Sequence, residues 1–147
     1  MAQPMVTARL GATLQLPEST TRRYVSLFEE VFLIERLPAW LATAPTRASP
    51  ASKTIFVDTG LRAHLPGRGI DRIQRDEAVA GPVLENLVLS ELAKQVSWSM
   101  VRPWLGHSRT RDGHEGDGVL EAPGGRIVGV EVTSTRSVRP RLPRTRA

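Results

Sequence analysis

Three carboxylates in this chain have types and positions that could do chemistry: Glu85, Asp117 and Glu131. Asp117 and Glu131 flank the turn Ala122-Pro123-Gly124-Gly125, so a hairpin closing there brings them near one another. With a four-residue loop Asp117 lies opposite Val130. With five it lies opposite Glu131, and the two acids share a face. Paired carboxylates bind a hard cation such as magnesium, which can activate water and steady the leaving oxygen in phosphodiester cleavage. The same spacing also fits three ordinary surface acids, so spacing alone does not decide between the two readings.

The elements that must position these acids are legible as a helix followed by strands. Pro82 to Val96 reads as a strong helix, with Pro82 in its first turn, where a missing N–H costs nothing. Leu84, Leu87, Val88 and Glu91 share one stripe of that helix, and Glu85 lies to one side with Val88, Leu89 and Leu92. A carboxylate at the border of an apolar face needs a partner. Strands are expected over Trp98 to His107, Asp117 to Glu121 and Arg126 to Thr133.

Upstream, a weak helical segment from Val6 to Leu14 breaks at Pro17 and is followed by a stronger helix capped by Ser19 or Thr20. Tyr24, Leu27, Phe28, Val31 and Phe32 recur at three- and four-residue steps and are expected on a buried face. Pro38 is expected to end this helix, Ala42 to Ser52 to form a loop, and Lys53 to Asp58 a short strand. Asp58-Thr59-Gly60-Leu61 then leads through a loop at Pro66, Gly67 and Gly69. Helix, helix and strand in this order suit a winged helix-turn-helix.

Composition narrows the function classes. The 147 residues are 40% hydrophobic and 24% charged, a globular balance. There are no cysteines, which excludes disulfides and thiolate zinc sites. His64, His107 and His114 lack metal-ligand spacing and read as solvated or structural. The net charge of +5 comes from Arg136, Arg139, Arg141, Arg144 and Arg146, because residues 1–135 carry 15 basic and 15 acidic side chains. Such a Pro-containing basic tail is expected to be solvated and to attract polyanions without sequence preference. No secretion signal and no membrane-length apolar run is read, so a cytoplasmic location is expected.

Several separated stretches together resemble one known family. Thr20-Thr21-Arg22-Arg23-Tyr24 and the run to Ile34 are similar to its winged-helix segment, and Lys53 through Leu61 resembles its K-x-x-F-x-D-T-G-L signature. Gly81 to Glu85 resembles its G-x-x-x-E helix start, while Glu115-Gly116-Asp117 and Glu131-Val132-Thr133 stand where it has E-V-D and E-V-K. The family is domain of unknown function 4143, found behind an AAA-type ATPase module in prokaryotic ATP-binding proteins. The resemblance, from Val6 to Val138, implies an α/β (α+β) chain. Residues 1–62 would be winged-helix-like, 63–135 a minimal and truncated restriction-endonuclease-like core, and 136–147 a disordered basic tail.

On that resemblance Glu85, Asp117 and Glu131 match metal-binding acids. Thr133 replaces the lysine that would hold the attacking water, and a neutral hydroxyl cannot supply its charge. The only lysines are Lys53 and Lys94, and neither stands in a phosphate-binding loop. The chain is therefore expected to be a non-enzymatic remnant that needs no cofactor, with weak magnesium or manganese binding at the acids. DNA, a separate ATPase chain or another protein is its expected partner, with Arg22, Arg23, Arg136, Arg139 and Arg141 as the nucleic-acid contacts. The rival readings are a metal-dependent nuclease and an inert gene fragment.

Overall fold

The computed structural model describes residues 7–40, 52–67, 69–109 and 115–134. The chain begins with two helices, α1 (Thr7–Leu14) and α2 (Glu18–Glu30). Both end in the same way: Leu16 N–H bonds to Gly11 O and Leu33 N–H to Phe28 O, with Gln15 and Phe32 at φ 55° and 58°. This six-to-one closure usually employs glycine at the left-handed position, and here a glutamine and a phenylalanine occupy it. Thus α2 stops at Glu30, well before Pro38. Its N-terminal boundary is Pro17, with no side-chain cap, and Ser19 and Thr20 lie inside the helix.

The inward face of α2 differs from the one its apolar spacing suggests. Thr21 and Val25 are buried, whereas Tyr24, Leu27, Phe28, Val31 and Phe32 are exposed, Phe32 to 79%. Close packing of α1 explains the choice. A Cβ on the buried Gly11 would stand 2.9 Å from Leu16 O and 3.0 Å from Thr21 Oγ1, so the helices meet through small groups. The broad apolar stripe is left facing outward.

Strand β1 (Ile34–Leu37) pairs antiparallel with β3 (Lys53–Phe56) in a two-stranded sheet. Between them, β2 (Ala39–Trp40) crosses into a second sheet of order β2-β4-β5-β6. There β4 (Trp104–Arg109), β5 (Glu115–Glu121) and β6 (Ile127–Val130) run antiparallel in succession, and β2 joins β4 in parallel. The loop expected from Ala42 to Ser52 lies almost wholly outside the described residues, as do Arg136, Arg139, Arg141 and the rest of the basic tail.

Two short helices occupy the region read as loop: α3 (Thr59–His64) and α4 (Ile70–Arg75). Asp58 caps α3 by accepting a 2.6 Å bond from Leu61 N–H, so the Asp-Thr-Gly-Leu motif is a strand-to-helix corner. Asp76 caps α5 (Glu77–Trp98) through Ala78 N–H. Helix α5 thus begins five residues before Pro82, which sits inside the helix. Strand β4 begins at Trp104, six residues later than expected, because α5 runs on to Trp98.

One core cluster joins the elements: Leu37 of β1, Ile55 of β3, Leu89 of α5 and Leu105 of β4. Glu85, Asn86, Leu89 and Ser90 form the buried side of α5, whereas Leu87 and Glu91 are exposed. Of the two faces that its apolar residues mark, the one carrying Glu85, Leu89 and Leu92 turns inward. Asn86 reinforces that orientation. Its side-chain carbonyl accepts Phe56 N–H at 2.8 Å, and its amide donates to Phe56 O at 3.0 Å and Thr59 Oγ1 at 2.9 Å. A side-chain amide here pairs with the backbone of β3 as another strand would, satisfying groups that burial would otherwise penalise.

Candidate functional site

The site assembles around a residue that the sequence did not single out for chemistry. Lys53 opens β3, and strand alternation places it on the same side as Ile55; both are buried. Its ammonium lies 2.6 Å from Glu85 Oε1 and 3.3 Å from Asp117 Oδ1, and donates to the Asp117 carbonyl at 3.3 Å. The lysine and glutamate side chains are 4% and 6% exposed, and the aspartate 17%. The other Asp117 oxygen accepts Val132 N–H at 2.8 Å. Glu85 comes from α5, Asp117 from β5 and Lys53 from β3, so one cation ties three elements together.

Arg62 adds a second positive charge. Burial pushes its guanidinium below the ordinary arginine range, and the nearby charge of Glu85 partly offsets that shift. Lys53 thus stands between two carboxylates, with Arg62 near enough to Glu85 to feel its charge. Buried charges are tolerated where opposite partners are at hand.

The third acid stands apart. The β5–β6 register pairs Gly118 with Val130 and Glu121 with Ile127, leaving a five-residue loop. Continued by one step, that register sets Glu131 across from Asp117. Yet β6 ends at Val130, and both Glu131 and Thr133 are exposed. The fold brings Glu85 and Asp117 together through Lys53 and leaves Glu131 at the surface. Among the described residues, no group of three or more His, Asp or Glu side chains is placed to hold a metal ion. Of the histidines, His107 is buried in β4 with its backbone N–H on Pro38 O, His64 is exposed at the end of α3, and His114 lies outside the described residues.

Arg22 and Arg23 project from α2, both exposed. Arg22 pairs with Glu18 at 2.7 Å, one turn back on the same helix. Glu29 is held by Arg36 of β1 at 2.5 Å. With Glu18, Glu29 and Glu30 against two arginines, α2 as a whole is not cationic.

Residues 80–146 match the family model described as domain of unknown function 4143, and the chain carries that domain. Residues 1–73 match a second model, domain of unknown function 8612, so the Lys53 to Leu61 signature falls within that earlier match. Uncharacterized proteins of Mycobacterium bovis and Mycobacterium tuberculosis are each 30% identical over 136 residues, covering 89% of this chain and 29% of theirs. The chain thus spans less than a third of the curated relatives it matches. No solved structure matches. No helix among the described residues is long and apolar enough to cross a membrane.

Proposed function

We propose that this chain is a non-enzymatic binding module, in which a winged-helix-like segment associates with another protein chain and an endonuclease-like core serves as its scaffold. The observation that carries this reading is the Lys53 ammonium lodged between Glu85 and Asp117. A hard divalent cation requires those carboxylate oxygens for itself. With Lys53 already seated between both acids, a divalent cation would add to the positive charge buried there or require expulsion of a lysine whose side chain is 4% exposed. The exposed Thr133 contributes no charge that could replace the displaced lysine.

The helix pair α1–α2 with the antiparallel β1–β3 sheet supports the winged-helix comparison, and α5 lying on a mixed sheet supports the endonuclease-like one. A protein partner is favoured over DNA because α2 exposes apolar side chains and carries more acid than base. The greater length of the relatives supports a setting within a larger assembly, with a separate ATPase chain as one candidate partner in the cytoplasm.

Incubation with supercoiled plasmid and millimolar magnesium or manganese tests the reading. No nicking is expected. Cleavage abolished by Asp117→Asn would overturn it.

A further inference from the structure

The exposed face of α2 has a chemistry that selects one partner. Tyr24, Leu27, Phe28 and Val31 form a continuous stripe at three- and four-residue steps, all outside the core. Along one flank of that stripe stand Arg23 and Glu30, seven residues apart and therefore on the same side of the helix, about two turns from each other. Each other charged residue of α2 has an ion partner within the chain: Arg22 with Glu18, and Glu29 with Arg36. Arg23 and Glu30 have none among the described residues, although both are exposed. A cavity of about 580 Å³ runs along this flank, lined by Thr20, Arg23, Tyr24, Ser26, Leu27 and Glu30.

We infer that this face binds a second copy of the chain, α2 packing antiparallel on α2 of its partner. Symmetry carries the argument. A two-fold axis perpendicular to the helix and passing beside Ser26 and Leu27 reverses the partner helix but keeps the flank on the same side. Arg23 of each copy then meets Glu30 of the other, giving two equivalent ion pairs from one self-complementary patch. Flanking residues in this position set partner choice and orientation in paired helices. Parallel packing about an axis along the helices would carry the two flanks to opposite edges of the interface and leave Arg23 and Glu30 without these partners, so the charges favour the antiparallel arrangement. The apolar stripe supplies the attraction, and the small α1–α2 contact through Gly11 and Thr21 keeps it outward.

This inference rests on the binding-module reading and names the partner of its outward face. Sedimentation equilibrium of the full chain across micromolar concentrations is the test. The parent is expected at twice its 16.1 kDa chain mass. Arg23→Glu sets two acids opposite each other and should weaken association at least tenfold, as should Glu30→Arg, which opposes two arginines. The double variant Arg23→Glu with Glu30→Arg restores opposite charges and should return dimerisation to within about threefold of the parent. Both positions are exposed, so circular dichroism should show unchanged folding. A parent that stays monomeric at 100 μM, taken as roughly the upper end of a useful self-association, would overturn the inference, as would a double variant no tighter than the singles. Either result leaves the absence of plasmid nicking untouched, whereas Asp117-dependent nicking would overturn the non-enzymatic reading and leave the dimer standing.

Discussion

Replacing Lys53 by methionine tests the central cluster most directly. Methionine keeps the length and much of the volume of the lysine stem and removes only the charge. At an effective dielectric of about 20, the ammonium attracts Glu85 at 2.6 Å by about 6 kcal/mol and Asp117 at 3.3 Å by about 5 kcal/mol. Much of that gain offsets the desolvation of three ions, so the intact cluster contributes little net stability. Breaking it is another matter. Without Lys53, two largely buried carboxylates lose the cation between them, and loss of one partner from a buried set typically costs about 3–5 kcal/mol. For a chain of this size that corresponds to a fall in Tm of roughly 10 °C.

The double variant Lys53→Met with Glu85→Gln removes one acid together with the cation and leaves Asp117 as the single carboxylate of the cluster. Its cost should be at least about 2 kcal/mol smaller than the sum of the two single substitutions. Urea unfolding followed by circular dichroism gives each value. If Lys53→Met unfolds within about 0.5 kcal/mol of the parent, or the double variant is additive, the reasoning about a paired buried cluster fails.

Two further outcomes concern the corners of the fold. Asp58→Ala removes the cap on Leu61 N–H and should cost about 1 kcal/mol in urea unfolding, with Asp58→Asn close to the parent. Phe32→Gly places glycine at the left-handed residue ending α2, where the phenylalanine side chain is 79% exposed and packs little. It should raise the stability of the monomer by about 1 kcal/mol, and a loss of stability would show that the ring makes contacts worth more than its strained backbone.

The sequence by itself determined what local chemistry can specify. Pro17 and the apolar runs marked α1, α2 and α5, and the Pro-Gly-Gly turn placed the β5–β6 hairpin, because turn residues and periodicity act within a few positions. The need of Glu85 for a partner was likewise legible from its place beside an apolar face. Its partner was not. Lys53 is separated from Glu85 by 32 positions and from Asp117 by 64, and only the packing of β3 and β5 against α5 brings the three together.

The rotation of α2 was also decided by tertiary structure. Periodicity ranks faces by hydrophobicity, so it selected Tyr24 to Phe32 on α2 as inward. Packing instead favoured the face that fits its neighbour. Gly11 and Thr21 allow α1 and α2 to approach closely. Small size outweighed apolar area at that contact, and the apolar stripe of α2 was left for solvent or for another chain.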